Sequence, residues 1–497
     1  MSGPRSAQFA GIWTRAVRKS PLKKTEASSR CFDWRASLLK AISGFPLLAV
    51  MAAFLSSCGT IPDAAALLHT NPLYLVAPSF VGPEGPLTAR QAQRILSRLK
   101  EHQKVPSDIL QRHLAFEQAI SNVPLVVGNK VTLLKNAPSA YRAMLEAIHG
   151  ASDNINIVMF TFSDGPIGQM FANALIDRQH HGVHVSLEYD SLGSLQTPAS
   201  FFKWLRQNGI GVVEYRPINP LEATLRWSLS HRNHRKMLIV DGRVAFTGGI
   251  NISEVYGSGL GSRAQKAPLE SWRDTDIEVE GPAVAEFQRL FFDEWKHQQG
   301  PPLCSCNYFP KIERKGNAIM RVIGSVPQRF SLIYVTLISA IVNSETRAYI
   351  TDAYFAPDHQ MLHAFEDAAR RGVDVRLLLP AKSDEPLIVS AAHSHYHALL
   401  KAGVKIYEWQ GEMLHAKTAS IDGVWSTVGT SNLDWWSIAR NNEVNAIILG
   451  HSFGDEMDMM FRNDIENSKQ IELDQWKHRP LRERFDETVA RIIEPLL

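Results

Sequence analysis

The sequence predicts an α/β protein of two pseudo-symmetric halves, each an α/β/α sandwich around a mostly parallel sheet, with the active site where the halves meet. Two observations lead there. Apolar, β-rich runs alternate with amphipathic helical runs in an order that occurs twice. In addition, "HRNHRKMLIVDGRVAFTGGIN" (231–251) and "LHAKTASIDGVWSTVGTSN" (414–432) carry one spacing, H-x-K-x4-D. It sets His234, Lys236 and Asp241 in one half and His415, Lys417 and Asp422 in the other, with Asn251 and Asn432 at equal offsets beyond each aspartate.

The chain opens with a segment unlike the rest. Residues 1–57 hold nine Lys/Arg against Glu26 and Asp33, so the net charge of +3 hides a body of about −4. A body of that sign lacks the basic footprint of a protein held by nucleic-acid backbones. The basic leader runs into an apolar stretch from Ala41 to Ser57 that ends in Leu55-Ser56-Ser57-Cys58, the pattern of a bacterial lipoprotein signal in which Cys58 is lipidated. The competing reading is an uncleaved membrane helix, for which the stretch is short. Either way the expected location is the bacterial cell envelope, membrane-associated, with a periplasmic catalytic body.

Residues 58–122 read as a helical cap without chemistry of its own: Ile95, Leu96 and Leu99, then Ile109, Leu110, Leu114, Phe116 and Ile120, fall at helical spacing. The first half, 123–300, runs strand "INIVMFTF" (155–162), helix, strand "VHVSLEY" (183–189), helix, strand "GVVEYR". The second, 301–497, repeats this with "RAYITDAYF" (347–355), "VDVRLLLP" (373–380) and "VKIYEWQ". Between them lies a Pro/Gly/Cys-rich stretch near Gly300 to Gly316, where Cys304 and Cys306 read as an oxidised or exposed linker pair rather than a zinc site.

In "HRKMLIVD", read as a strand, His234 and Lys236 share a face, because side chains alternate with period two. Asp241 lies an odd number of residues on, and so points away or sits in the following turn. An imidazole that can attack or protonate, a fixed ammonium and an amide donor together suit a phosphoryl group. Two facing half-sites supply one histidine to attack phosphorus and one to protonate the departing oxygen. Lys236, Lys417, Asn251 and Asn432 then meet the charge of the transition state, so the chemistry calls for no cofactor and no metal. One such motif arises by chance; two, each with G-x-x-N at one offset, do not.

The doubled motif is the signature of the phospholipase D superfamily, and the chain resembles its bacterial cardiolipin synthases over roughly residues 123 to 497. "NHRKMLIVDGRVAFTGGIN", "WRDTDIEVEGPAV" (272–284), "LHAKTASIDG", "GTSNLDWWS" and "NNEVN" carry the resemblance. It implies two phospholipase D-like domains, His234 as nucleophile through a phosphohistidine, and His415 as general acid and then base. Lys236, Lys417, Asn251 and Asn432 bind phosphate, and Asp241 and Asp422 support the motif from behind. Glu443 in "NNEVN" and Asp274 in "WRDTD" each orient the histidine of their own repeat. The single lipoprotein-like leader departs from the paired membrane helices of many members. Trp435 and Trp436 read equally as interfacial or as packed aromatics. The "HSHYH" run, His393 to His397, reads as a polar helix face near the site's mouth rather than a zinc site, and His180 and His181 as an exposed helix end.

The expected activity is phosphatidyl transfer at a membrane surface, with phosphatidylglycerol as donor and acceptor and phosphatidylethanolamine as an alternative donor. Hydrolytic phospholipase D activity shares every catalytic residue. A nuclease or other phosphodiesterase fits the acidic body less well, and no nucleic-acid partner is expected. A lipoprotein that only binds anionic lipid has no use for two intact catalytic sets.

Overall fold

The computed structural model describes residues 63–64, 77–101, 108–110, 112–121, 123–219, 231–257, 271–326 and 331–494. The leader, with Cys31 and Cys58, lies outside the described residues.

Strands β1 (Phe80–Gly82) and β2 (Gly85–Pro86) precede helices α1 (Ala89–Glu101) and α2 (Arg112–Ser121). The first half follows as β3 (Leu125–Lys135), α3 (Asn136–His149), β4 (Asn154–Met159), α4 (Pro166–His180), β5 (His184–Asp190), α5 (Ala199–Gln207) and β6 (Gly211–Tyr215). It is completed by β7 (Met237–Val240), β8 (Val244–Gly248), β9 (Thr275–Glu280) and α6 (Val284–His297). The second half retraces the order with β10 (Ala318–Ser325), α7 (Leu332–Val342), β11 (Arg347–Thr351), α8 (His359–Arg370), β12 (Asp374–Pro380), α9 (Pro386–Ala402) and β13 (Lys405–Trp409). Then come β14 (Thr418–Ile421), β15 (Trp425–Gly429), α10 (Trp435–Ala439), β16 (Glu443–Leu449), α11 (His451–Glu466), β17 (Ser468–Ile471), α12 (Leu473–Lys477) and α13 (Leu481–Ile493).

Each half is a mixed sheet. The parallel part is β4–β5–β6 and its counterpart β11–β12–β13, whose crossover helices let neighbouring strands run the same way. The motif strands are antiparallel: β7 pairs with β4 and β8, and β14 with β11 and β15. The reason lies in the motif itself. Asp241-Gly242 and Asp422-Gly423 have φ of 53° and 61°, and 52° and 65°, the consecutive left-handed pair of a tight hairpin turn. Asp-Gly is the dipeptide that adopts it most readily.

The halves share one continuous sheet. The first part of β3 pairs with β10 and its second part with β9, while β10 pairs with β16. Apolar residues of both halves fuse there into one cluster, with Val158, Ile239, Val279 and Phe287 against Val322, Val444 and Ile448. Each half also keeps its own core, one around Ile155, Phe171, Leu187 and Phe246, the other around Ile350, Leu377 and Ile406.

The two expected N-terminal helices are α1 and α2. They cap the second half: Leu114 and Phe116 of α2, with Ile109 and Leu110 of the short turn ahead of it, join its core, and β1 extends the sheet along β3. The cap is also held by a buried charge. Glu117 accepts from Arg321 Nη1 at 3.0 Å and Trp425 Nε1 at 3.2 Å, and pairs with His113 Nε2 at 2.9 Å. Although burial opposes it, those neighbours keep Glu117 below the usual carboxylate range.

Cys304 and Cys306 are paired as a disulfide. Among the described residues no helix is long and apolar enough to cross a membrane.

Candidate active site

The structure brings both motif copies to one place. His234, Lys236, His415 and Lys417 are all buried, and His415 lies within electrostatic reach of the other three. The histidines sit just ahead of strands β7 and β14, in extended segments rather than in the strands. The predicted strand therefore starts three residues later than "HRKMLIVD" suggested. Backbone hydrogen bonds across the seam take the place of the ladder. His234 N donates to Asn442 O at 2.9 Å and Asn442 N to Arg232 O at 2.8 Å; His415 N donates to Arg273 O at 2.7 Å and Arg273 N to Met413 O at 2.8 Å.

These crossings overturn one expectation. Glu443 does not orient the histidine of its own repeat, nor does Asp274. Asn442, just before Glu443, bridges to Asn233, just before His234; Arg273, just before Asp274, bridges to Leu414, just before His415. Each carboxylate is thereby delivered to the opposite half. His234 Nδ1 lies 3.0 Å from both Glu443 oxygens, and His415 Nδ1 lies 2.7 Å from Asp274 Oδ2. Taking the Nδ1–H, each carboxylate selects the tautomer with a free lone pair on Nε2.

Two arginines that sequence reasoning passed over brace the crossing. Arg235 donates to Glu443 O at 3.1 Å, Ser325 O at 3.0 Å and Glu294 Oε2 at 3.1 Å. Arg273 forms a fork onto Asp464, at 3.0 and 2.6 Å. Thr430 Oγ1 donates to Glu443 as well. All three lie inside or beside motif text, which was the available signal.

Both lysines arch back onto the motif. Lys236 Nζ donates to His234 O at 2.8 Å and stands over the Phe160 ring at 5.2 Å; Lys417 Nζ donates to His415 O and stands over Tyr354 at 5.7 Å. Asn251 accepts from Thr161 N at 3.0 Å through Oδ1 and donates to Tyr256 Oη at 3.0 Å, leaving one N–H. Asn432 Nδ2 reaches Ser437 Oγ at 3.4 Å.

Asp241 and Asp422 stand away from this centre, beyond four-residue strands that span about 13 Å at the usual rise. Asp241 accepts from the backbone N–H of Ser152, Asp153 and Asn154 at 2.8–2.9 Å, and Asp422 from those of Thr346 and Arg347 at 2.8 and 3.0 Å. They anchor the hairpin turns to the starts of β4 and β11. This is support from behind in a literal sense.

Burial dominates the electrostatics. It draws His234 down to about 4 against the pull of Glu443, holds His415 well below its usual range, and brings Lys236 to about 7. Glu443 stays below the carboxylate range despite its burial, because the His234 imidazole and the Lys236 ammonium face it. Burial pushes Asp274 up to about 7. Burial thus disfavours the protonated form of both imidazoles and of both lysines, which an anionic phosphodiester beside them would restore.

The remaining histidines are elsewhere. His395 is buried and pairs with Glu494 at 2.7 Å, His393 pairs with Glu408 of β13 at 2.9 Å, and His397 is exposed, so two of the three histidines of the "HSHYH" run are held by carboxylates of their own half. His180 and His181 are exposed at the end of α4. Trp435 and Trp436 are half-buried, with the Arg440 guanidinium 5.1 Å from the Trp436 ring.

A domain model described as "Cardiolipin synthase, PLD-like domain" matches residues 144–256 and 337–465, one match in each half. The chain is 31% identical over 389 residues to a cardiolipin synthase of Geobacillus thermodenitrificans, covering 78% of this chain and 75% of that protein. It belongs to the cardiolipin synthase family. Cardiolipin synthase 1 of Staphylococcus epidermidis is 34% identical over 379 residues, covering 75% of each chain. The fold matches that of phosphatidylserine synthase from Haemophilus influenzae with a TM-score of 0.57 at 12% identity, over 77% of this chain and 98% of that one.

Proposed function

We propose that the site transfers a phosphatidyl group through a phosphohistidine, in the manner of a cardiolipin synthase. The observation that carries this is the crossed pairing: two imidazoles in one buried centre, each with Nδ1 paired to a carboxylate of the opposite half. In the first step His234 Nε2 forms a bond to the phosphorus of phosphatidylglycerol while the bond from phosphorus to glycerol oxygen breaks. The proton on His415 Nε2, acquired as the phosphodiester anion enters, passes to that oxygen. In the second step His415 takes the hydroxyl proton of a second phosphatidylglycerol, its oxygen bonds to phosphorus, and the P–N bond breaks. Lys236, Lys417 and the amides of Asn251 and Asn432 meet the charge on the non-bridging oxygens.

Phospholipid as donor and acceptor, phosphatidylethanolamine as an alternative donor, and action at a membrane surface are part of this reading. The names of the relatives support a phospholipid substrate, and the basic and apolar leader supports the membrane surface. Residence in the cell envelope, with anchoring through Cys58, is part of the same reading and rests on the leader alone. Incubation with glycerol-labelled phosphatidylglycerol tests the reaction: cardiolipin with free glycerol is expected, whereas phosphatidic acid as sole lipid product means hydrolysis. Palmitate labelling of wild type and Cys58→Ala tests the anchor, and label retained by the variant refutes it.

A further inference from the structure

The two motif copies differ at a place that the histidine–carboxylate pairing does not use. Five residues after Asn251 comes Tyr256, and five after Asn432 comes Ser437. Each asparagine amide donates toward its hydroxyl, at 3.0 Å to Tyr256 Oη and 3.4 Å to Ser437 Oγ. The tyrosine reaches further. Its Oη lies 3.3 Å from His415 Nδ1, on the edge of the ring that faces Asp274. His234 Nδ1 instead divides its bond between the two oxygens of Glu443.

Tyr256 is itself fixed. It is 2% exposed, and its ring stands edge-on to Trp272 at 5.2 Å and to His415 at 5.7 Å. Asn251 cannot swing, because Thr161 N–H holds its Oδ1. Hydrogen bonds thus run from Thr161 through the phosphate-binding amide of Asn251 to Tyr256, whose Oη shares the Nδ1–H that His415 gives chiefly to Asp274.

We infer that Tyr256, held by the Asn251 amide, is a positioning residue that aims His415, and that this tie makes the two histidines unequal in a site otherwise built on a two-fold plan. The inference rests on His234 being the nucleophile and His415 the acid and base. Aim matters most to the imidazole that must place a proton on a departing alkoxide, and little where the leaving group departs as a stable anion.

The test compares two donors with the same diacylglycerol phosphate, phosphatidylglycerol and phosphatidyl-p-nitrophenol, in mixed micelles with the full chain. Rates are referred to folded protein measured by near-ultraviolet circular dichroism, so lost fold does not count as lost aim. Tyr256→Phe is expected to lower kcat/KM for phosphatidylglycerol about tenfold, as for one lost hydrogen bond, and nitrophenol release less than about twofold. A purely structural role lowers both alike. Equal losses on the two donors, or none on either, overturn the inference. His415→Ala run alongside separates the two levels of the argument. A split between donors in His415→Ala but not in Tyr256→Phe refutes the role of Tyr256 alone; no split in His415→Ala refutes the assignment of the histidines and the inference with it.

Discussion

Glu443 and His234 lie 209 residues apart in opposite halves of the chain, yet both carboxylate oxygens stand 3.0 Å from the imidazole Nδ1. Asp274 and His415 repeat the relation in the other direction at 2.7 Å. Neither half holds a complete set: each histidine takes its orienting carboxylate from its neighbour.

The crossed pairing predicts crossed defects. Glu443→Gln, which leaves His234 without a charged acceptor, is expected to slow phosphoenzyme formation about a hundredfold even from phosphatidyl-p-nitrophenol. Asp274→Asn is expected to spare that release and slow turnover of phosphatidylglycerol. Quenched-flow measurement of both donors checks it, and the opposite pattern reverses the roles of the histidines.

Replacing either histidine by alanine is expected to abolish transfer between lipids, since one displacement cycle uses both. Acid quench and proteolysis of the wild type are expected to locate the phosphoryl group on His234. Finding it on His415 keeps the site and exchanges the two roles.

The pH profile follows from burial. His234, at about 4 in the free enzyme, loses its neutral form as pH falls through 4, while Lys236, at about 7, loses its charge as pH rises through 7. The kcat/KM profile is therefore expected to fall on the acid side as His234 is protonated near 4, and to decline toward the alkaline side as Lys236 loses its charge through 7 and as the proton that His415 takes up with the substrate becomes scarce. In kcat the alkaline limb moves up, because the bound phosphodiester anion favours the ammonium. An alkaline limb at the same pH in both profiles contradicts this account.

Asp241 separates stability from chemistry. Asp241→Ala removes an acceptor from three backbone N–H groups and leaves alanine at a φ of 53°. A loss of about 2 kcal/mol in urea unfolding is expected, with kcat per folded molecule changed less than about threefold. A large fall in kcat at full stability assigns Asp241 to the reaction centre.

Chelators are expected to leave activity unchanged, because Lys236, Lys417 and the asparagine amides supply the positive field at phosphorus. Loss in EDTA that zinc restores refutes this.

Much of the protein is legible in one dimension. The period-two and helical apolar runs determine the strands and helices, the doubled H-x-K-x4-D determines that two equivalent half-sites exist, and Asp-Gly determines the hairpin that follows each. These are local properties, set by side-chain alternation and by which residues tolerate a left-handed backbone. What the sequence could not decide is which half serves which. Along the chain the carboxylates of "WRDTD" and "NNEVN" each follow the histidine of their own half, which suggests the wrong partner. Only the backbone bridges Asn233–Asn442 and Arg273–Leu414 send each one across. Tyr256 and Ser437 likewise hold the same offset, and their difference becomes chemical only where the longer side chain meets His415. Tertiary structure decided these points because hydrogen-bond partners are chosen by distance in space, and at a seam between two repeats the nearest partner belongs to the other copy.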